Sequence, residues 1–254
     1  MASTKPVALV TGGAKRIGRS IAEDLAAHGF AVAIHYNHSV DEAADLAAAI
    51  TQNGGIAKPV HADLTDTRAI RGLISQVRGS LGEVELLVNS ASLFNADHVG
   101  TLAEAEWDQH FNIHVKAPVF LAEAMARDLP AGKSGLIVNI IDQRVWKLTP
   151  GYFSYTLSKS ALWTATRTLA QALAPRVRVN AIGPGPTLRN KRQSEEDFRR
   201  QAESVLLQHG PDLAEFGRTV RYFWENGSVT GQMVALDGGQ HLAWETPDIA
   251  GINE

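Results

Sequence analysis

Short apolar segments alternate with helix-like segments along the whole chain, and this alternation restricts the possible folds more than any other feature. Almost uniformly apolar strands separated by helices are typical of a parallel sheet covered by helices on both faces. No shift of composition and no linker divides the chain, so we expect one doubly wound α/β domain over residues 1–254. The predicted strands are 7–11, 31–36, 56–63, 84–92, 136–141, 177–182 and 232–237.

Composition excludes several classes of function. The net charge of -3 gives no electrostatic reason to expect nucleic acid or an anionic membrane as a partner. The absence of cysteine excludes disulfides, thiolate metal sites and cysteine nucleophiles, and the nine scattered histidines predict no metal site. The opening MASTKPVALV does not read as a signal peptide, and no apolar run reaches the ~18 residues of a membrane helix. We therefore expect a cytoplasmic protein.

A glycine-rich turn, TGGAKRIG, follows the first predicted strand and precedes a helix. Gly12, Gly13 and Gly18 allow the backbone to turn sharply and to approach a bound group closely. The N-terminus of the next helix presents free N–H groups to a phosphate. This arrangement favours dinucleotide binding.

The residues after the second strand indicate which dinucleotide is bound. An acidic residue there accepts the ribose hydroxyls of the unphosphorylated cofactor, but this chain has Tyr36, Asn37, His38 and Ser39. With Arg16 in the glycine turn and no acid to repel a 2'-phosphate, we favour NADP(H). In the alternative interpretation these residues form an ordinary polar loop.

The carboxyl ends of the strands meet at one edge of a doubly wound sheet, where ligands bind. Asp63 lies there, either to accept from an adenine amine or to cap the next helix. The same edge collects Asn89 to Ser92, Asp142 and the turn GPGPT, whose Gly183 and Gly185 favour close approach to a ligand. This convergence predicts a single crevice.

Tyr155 and Lys159 are four residues apart, so on a helix both side chains share one face. A phenol titrates near ~10 and needs a nearby cation for acid–base work at neutral pH. Lys159 can be that cation, and Asp142 stands at the end of the apolar run 136–141. Alternatively, the pair is an ordinary surface pair, because short motifs arise by chance.

Two C-terminal segments complete the chain. The region of about 186–212 is polar, and we assign it as a substrate loop. Its arginines are either a solvated surface or a means of attracting an acidic substrate. We expect the tail, residues 240–254, to pack at a subunit contact and to close a neighbour's pocket, because Trp244 is an unusual residue to leave in water.

Five motifs occur in order and together resemble the short-chain dehydrogenase/reductase family over nearly the whole chain: TGGAKRIG, NSAS, YTLSK, NAIGPGPT and VTGQMVALDGG. The resemblance implies a single Rossmann-type domain whose seven-stranded parallel sheet has the order 3-2-1-4-5-6-7, with helices on both faces. It also implies a nicotinamide cofactor and a homotetramer. The function implied is that of an NADP-dependent oxidoreductase.

The resemblance assigns roles to individual residues. Tyr155 would protonate the reduced carbonyl or imine, and Lys159 would hold the nicotinamide ribose and lower the pKa of the tyrosine. The segment Pro184 to Thr187 would lie over the carboxamide. Resemblance and pattern together give these cofactor contacts: Gly12, Lys15, Arg16, Ile17, Gly18, Tyr36, Asn37, His38, Ser39, Asp63, Leu64, Asn89, Ser90, Ala91, Tyr155, Lys159, Pro184, Gly185 and Thr187.

Three departures from the family pattern point to one branch. Arg16 replaces the middle glycine of the turn, Asp142 replaces a serine, and His114 replaces an asparagine. The last two stand at positions that are catalytic in the family. The predicted catalytic residues are therefore Tyr155, Lys159, Asp142 and His114. An ionised carboxylate only accepts hydrogen bonds, so Asp142 cannot polarise a ketone as a serine does. It can bond the tyrosine, pass on a proton or receive an N–H from a heterocycle.

Arg16 with Asp142, HYNHS and NSASLF resemble the pteridine reductase branch, which includes the bacterial dihydromonapterin reductases. The resemblance implies substrate contacts by Arg16, Ser92, Phe94, Asp142 and Tyr155, with Phe94 stacked on the pterin. An alternative places Phe94 at a subunit contact. The branch often has an arginine where His38 stands, which leaves a weaker, pH-dependent partner for the 2'-phosphate.

The first hypothesis is therefore NADPH-dependent reduction of a pteridine such as a dihydropterin or dihydrofolate. The second is a general carbonyl reductase acting on ketones, sugars or 3-oxoacyl groups. The third is a cofactor-binding sensor or scaffold without turnover, supported only by the departures at Arg16, Asp142 and His114. An intact Tyr155 and Lys159 argue against the third.

Overall fold

A computed structural model describes residues 5–190, 192–246 and 250–251. Its centre is one sheet in which every neighbouring pair of strands is parallel, in the order β3-β2-β1-β4-β5-β6-β7. This confirms the predicted topology. The strands are β1 (Val7–Thr11), β2 (Ala31–Tyr36), β3 (Ile56–His61), β4 (Val84–Asn89), β5 (Gly135–Ile140), β6 (Val177–Pro184) and β7 (Met233–Leu236).

Helices cover both faces of the sheet. One face packs on a core that includes Leu73, Leu121 and Ile137, and the other on a core that includes Ile21, Leu46 and Phe216. The helices are α1 (Arg16–Ala27), α2 (Val40–Gln52), α3 (Thr67–Leu81), α4 (Glu104–Phe111), α5 (Ala117–Asp128), α6 (Phe153–Leu173), α7 (Glu195–Glu203) and α8 (Leu213–Glu225). Two-sided burial explains why β1 and β5 are buried at every residue.

The strand β3 departs from the expected apolar pattern. Of its six residues only Val60 is buried, and Ile56 is exposed. β3 lies at the edge of the sheet, where Pro59 is tolerated because one side of an edge strand needs no ladder hydrogen bonds. The proline and the exposed polar side chains also protect this edge from pairing with another chain.

The long helix predicted over residues 107–129 is interrupted. A short π-helical turn, Asn112–Lys116, separates α4 from α5. Pro118 lies in the first turn of α5 and has no N–H to donate to the carbonyl of His114, so the regular α-helical ladder cannot continue through this point. The interruption lies at His114, one of the predicted site residues.

The two C-terminal segments differ in how far the structure describes them. The predicted substrate loop, 186–212, contains α7, which has no buried residue. The tail begins with a 3-10 turn, Gln240–Leu242, and Trp244 is 68% exposed. Residues 247–249 and 252–254, on which part of the predicted subunit contact falls, lie outside the described residues.

The described ranges contain neither a membrane-spanning helix nor a cluster of metal ligands. Among these residues, no helix has the length and apolar character needed to cross a membrane. Within the same ranges, no group of three or more His, Cys, Asp or Glu side chains could hold a metal ion.

Candidate active site

A cleft of about 1400 Å³ opens at the carboxyl edge of the sheet. The predicted cofactor and substrate residues line it together, although they come from separate parts of the chain. Asn89 and His114 do not line it, because both are buried behind its wall. The structure thus brings together the residues expected to converge, with these two exceptions.

Steric contacts in the glycine turn require two of its glycines. A side chain at Gly12, where φ is +62°, would place its Cβ 2.9 Å from the Cα of Ala91. A Cβ at Gly18 would lie 2.3 Å from the carbonyl oxygen of Gly12. The turn is therefore packed against the loop after β4 and against its own backbone, and it leaves a cradle bounded by main-chain groups.

Arg16 occupies a left-handed conformation, with φ of +54°, at the position where the family has a glycine. This conformation is unfavourable for a residue with a side chain by about 1 to 2 kcal/mol. Its guanidinium lies in the cleft and donates to the carbonyl oxygens of Leu188 and Arg189, both at 3.1 Å. Arg16 thus joins the glycine turn to the start of the predicted substrate loop.

His35 was missed by sequence reasoning. It is buried in β2, where its Nδ1 accepts the Gly12 N–H at 3.1 Å and its Nε2 lies 3.1 Å from the carbonyl oxygen of Ala62. Nδ1 is an acceptor here, so Nε2 carries the proton and donates it to Ala62. Burial lowers the pKa of His35 to about 4. A lone histidine in an otherwise apolar central strand was the available signal.

Asp63 lines the cleft, but it does not cap the following helix. Its carboxylate accepts from the backbone N–H and the hydroxyl of Thr65, both at 2.8 Å, and these bonds lower its pKa. The cap of α3 is Asp66, whose side chain accepts from the N–H of Arg68. The helix-cap interpretation of Asp63 was therefore wrong.

The two glycines of the turn GPGPT pack closely against the neighbouring strand and the turn after it. A Cβ at Gly185 would lie 2.6 Å from the Cα of Asp237, and a Cβ at Gly183 would lie 3.1 Å from the Met233 sulfur. Close packing of the end of β6 against the turn after β7 thus requires glycine at 185, whereas at 183 an added Cβ would be tight against a methionine side chain. Packing is thus one reason for glycine here, and the expectation that these glycines allow close approach to a ligand stays a prediction, with Gly185 lining the cleft.

Tyr155, Asp142 and Lys159 lie together at the base of the cleft. The Tyr155 hydroxyl donates to Oδ2 of Asp142 at 2.9 Å. Lys159 is buried, and its Nζ donates to the carbonyl oxygen of Ile140 at 2.9 Å. The lysine lies 5.7 Å from the centre of the tyrosine ring and makes no hydrogen bond to the phenol among the described contacts.

The pKa values of Tyr155 and Lys159 are both shifted, and that of Tyr155 moves in the direction opposite to the one expected from the sequence. Burial, together with the charge and hydrogen bond of Asp142, raises the pKa of Tyr155 well above its usual value. Burial lowers the pKa of Lys159 to about 8, although Asp142 opposes this. The expectation that Lys159 lowers the tyrosine pKa was wrong for this arrangement, because the nearest charge to the phenol is negative. Tyr155 is therefore a protonated phenol at neutral pH, able to donate.

His114 positions the loop after β4. Its Nε2 accepts from the N–H of Leu93 at 3.1 Å and lies 2.9 Å from the Ser92 hydroxyl. The proton must then be on Nδ1, which lies 2.8 Å from the hydroxyl of Ser158 on α6. Burial and the nearby Lys159 hold its pKa well below the usual value, so the ring is neutral. His114 therefore supports Ser92 and the loop that carries it.

His110 repeats this arrangement one helical turn earlier. Its Nδ1 lies 2.7 Å from the hydroxyl of Ser154, which donates to the carboxylate of Asp97, and its Nε2 accepts a longer bond of 3.5 Å from the N–H of Asn95. The two imidazole rings stack with centres 5.5 Å apart. The spacing of four residues in both His110/His114 and Ser154/Ser158 was the signal that sequence reasoning missed.

Asn89 belongs to a buried polar chain below the cleft. Its side-chain amide donates to Oδ1 of Asn139 at 2.8 Å, and Asn139 donates to the hydroxyl of Thr166 at 2.9 Å. Beside it, the hydroxyl of Thr11 accepts from the N–H groups of Ser90 and Ala91. These bonds fix the residues that line the cleft, and Asn89 itself does not reach it.

Aromatic residues form the substrate end of the cleft. Phe94 stacks on Tyr152 with centres 4.3 Å apart and planes 6° from parallel, and Tyr155 meets Phe94 edge-on at 4.8 Å. Phe94 lines the cleft, as an aromatic that stacks on a substrate must. Tyr152 and Arg144, which lies beside both rings, were not predicted from the sequence.

Residues 6–199 match the short chain dehydrogenase family, so the chain belongs to that family, and the prediction of an oxidoreductase is confirmed. A solved relative is FolM alternative dihydrofolate reductase 1 from Brucella canis complexed with NADP, which is 63% identical, with 97% of this chain and 98% of that chain covered and a TM-score of 0.95. Pteridine reductase 1 of Leishmania tarentolae is 32% identical over 94% of this chain and 97% of its own length. The 3-oxoacyl-acyl-carrier-protein reductase FabG of Staphylococcus epidermidis is 28% identical over 92% of this chain and 98% of its own length.

The buried His35 generates a prediction about acid stability. The unfolded chain binds a proton on this histidine below pH ~6.5, whereas the folded chain binds it only near pH 4, so stability is present above this window and is lost as the pH falls through it. The loss attributable to His35 is of the order of 3 kcal/mol. Urea unfolding between pH 7 and pH 4.5 should show a steeper loss of stability for the wild type than for His35→Asn, which cannot be protonated there.

The exposed His209→Asn serves as the control and should keep the wild-type slope. His110 and His114 contribute equally to all three proteins, so the comparison isolates His35. Equal slopes for wild type and His35→Asn would contradict the assignment of a neutral His35 beneath the glycine turn.

Proposed function

We propose that the protein reduces the ring of a dihydropterin or dihydrofolate with NADPH. The observation that carries the proposal is the hydrogen bond between the Tyr155 phenol and the Asp142 carboxylate, which stands where the family has a serine. A carboxylate suits a ring that presents N–H groups, and it does not suit a ketone, which needs a donor. The names of the Brucella and Leishmania relatives agree with this choice of substrate.

The cradle formed by the glycine turn fits a dinucleotide, because Gly12 and Gly18 line the cleft and a Cβ at either would collide with Ala91 or with the backbone of the turn. Arg16 and the start of α1 would hold the pyrophosphate, Asn37 to Ser39 the 2'-phosphate, and Asp63 with Leu64 the adenine. Lys159, Ala91 and Pro184 to Thr187 would hold the nicotinamide end. When bound, NADPH supplies the hydride. The Brucella canis relative was solved with NADP, which supports this cofactor.

The side chains at the base of the cleft would supply the proton. Hydride addition to the carbon of a C=N bond leaves an electron pair on nitrogen, which needs a proton from a nearby acid. Tyr155 is protonated, buried and edge-on to Phe94, so its hydroxyl would be able to donate to a ring stacked there. A proton from solvent that enters the open cleft would then restore the phenol, with Asp142 as the relay, since a phenolate next to a carboxylate is unfavourable.

A general carbonyl reductase is the second candidate, and the similarity to the Staphylococcus epidermidis reductase favours it. Under this candidate Asp142 would have to be protonated to polarise a ketone. A non-catalytic sensor is disfavoured by geometry, because Tyr155 and Lys159 both face the cleft.

The first experiment measures NADPH oxidation with dihydrobiopterin, dihydromonapterin and dihydrofolate, beside simple ketones and a 3-oxoacyl thioester, with NADH in parallel. We expect turnover of at least one pteridine, with NADPH preferred. Turnover of ketones or the thioester alone would select the carbonyl reductase. NADPH binding with no turnover of any compound would select the sensor.

Replacing Tyr155 by phenylalanine tests the proton donor. We expect Tyr155→Phe to lower turnover by about 10² to 10⁴, the range for loss of a general acid, while the dissociation constant for NADPH changes by no more than about twofold. Turnover assays and fluorescence titration of NADPH give the two quantities. Tyr222→Phe, an exposed position on α8, is the matched control. Wild-type turnover in Tyr155→Phe would overturn this mechanism.

We also propose that the protein is a cytoplasmic homotetramer in which the tail lies at a subunit contact. Trp146 packs on His241 at the start of the tail, and Trp146, Leu242 and Trp244 are all exposed in the single chain. Light scattering should give the mass of a tetramer, and truncation after Leu242 should reduce the assembly. An unchanged mass together with unchanged kinetics would contradict the role of the tail.

A further inference from the structure

Arg144 lies in the cleft wall, two residues after Asp142. Its backbone N–H donates to Oδ1 of Asp142 at 2.9 Å, which fixes the start of the side chain. One of its guanidinium nitrogens, Nη1, is buried and has no hydrogen-bond partner within the described part of the chain. A buried donor without a partner is unfavourable by about 1 to 3 kcal/mol, more when it is charged. Because Arg144 also lines the cleft, a small movement of its side chain would present this nitrogen to a ligand acceptor there.

A second arginine reaches the same place from the predicted substrate loop. Arg192 donates to the carbonyl oxygen of Phe94 and lines the cleft. Its guanidinium carbon lies 5.7 Å from the Phe94 ring centre and 6.0 Å from that of Tyr152, and for Arg144 these distances are 5.0 and 4.9 Å. A group nearly equidistant from two stacked rings lies at their edges. Both charges therefore flank the aromatic pair and leave its faces free of them.

The backbone conformation of Tyr152 also indicates that Arg144, Tyr152 and Phe94 belong to a ligand site. Tyr152 has φ of +54°, which is an outlier for a bulky residue at the start of a helix. Such strain persists only where the surrounding structure holds it in place, and it concentrates at ligand sites. Here it sets the Tyr152 ring against Phe94 and beside Arg144.

Within the described ranges, the two arginine side chains form no ion pair, and Asp142 is the nearest carboxylate to Arg144 in sequence and shares its wall of the cleft. Asp142 accepts from Tyr155 and from the Arg144 backbone, and Asp197, the other carboxylate at this end of the cleft, pairs with Arg200 and Ser194. Among residues 5–190, 192–246 and 250–251, neither Arg144 nor Arg192 has a carboxylate within ion-pair distance. The substrate end therefore presents two unpaired guanidinium groups in a protein whose net charge is -3.

We propose that Arg144 and Arg192 form an anion subsite that binds a carboxylate on the substituent of the pteridine ring, so that the enzyme prefers dihydrofolate-type substrates over dihydropterins with uncharged side chains. The proposal rests on the proposed function. A ring stacked on Phe94 lies next to both arginines, and a carboxylate matches the fork of an arginine with two parallel hydrogen bonds. Arg192 thereby fits the acidic-substrate interpretation of the loop arginines.

The test compares kcat and KM for dihydrofolate and dihydrobiopterin in the wild type, Arg192→Gln and Arg192→Lys. Arg192→Gln should raise KM for dihydrofolate about tenfold and leave KM for dihydrobiopterin within about twofold, since only the former has carboxylates. Arg192→Lys should recover part of the loss. Arg199→Gln, on α7 and paired with Glu203 outside the cleft, is the matched control and should behave as wild type.

Arg144→Gln is the second variant. The Arg144 charge acts against the raised pKa of Tyr155, so this variant should lower kcat for both substrates and additionally raise KM for dihydrofolate.

A phosphorylated dihydropterin is a further arm of the assay. If Arg192→Gln weakens the phosphate ester and not dihydrofolate, the carboxylate assignment is overturned in favour of phosphate.

The remaining outcomes separate the two proposals. If the wild type reduces neither pteridine, the proposed function fails. If it reduces both, and Arg192→Gln changes KM for both equally or for neither, the function stands and the subsite is overturned. Thermal unfolding of each variant shows whether a loss comes from a damaged fold.

Discussion

The in-register ends of β1, β4 and β5 determine where every other part of the site lies. Thr11 pairs with Asn89 and Asn89 with Asn139, so three polar side chains stand in a row across the three central strands. Each is buried, and each must therefore find a partner inside the protein. The Thr11 hydroxyl accepts from the backbone N–H groups of Ser90 and Ala91. The two asparagines bond each other, and Asn139 also bonds Thr166. A slip of one residue between these strands would point the row away from its partners.

Neutral imidazoles supply the next layer of support. His35 lies below the glycine turn, and His110 and His114 lie between α6 and the loop that follows β4. In each ring one nitrogen accepts a backbone N–H and the other faces a protein acceptor, so each ring is held in one tautomer. Burial keeps these rings uncharged, which lets them act as rigid connectors next to the cationic Lys159.

The sequence predicted what depends on local spacing and strand order. The alternation of strands and helices gave the sheet, and the four-residue spacing of Tyr155 and Lys159 gave their shared face. Contacts made by loops could not be predicted from the sequence. Arg192 and Phe94, for example, are 98 residues apart, and their approach depends on the path of both loops. The histidine and serine pairs likewise meet across 44 residues. The prediction for the pKa of Tyr155 failed for a related reason. That pKa depends on whether Asp142 or Lys159 bonds the phenol, and in the structure it is Asp142.

Arg16 has a consequence for how the parts of the cleft communicate. Its guanidinium satisfies the carbonyls of Leu188 and Arg189, and the same group stands at the cradle of the glycine turn. If an anion in the cradle draws the Arg16 guanidinium towards it, these two hydrogen bonds lengthen and the hold of Arg16 on residues 188–189 weakens. By thermodynamic reciprocity, whatever fixes that segment must change the affinity of the cradle for an anion by the same factor. A strained arginine in place of a glycine thus links the two ends of the cleft energetically.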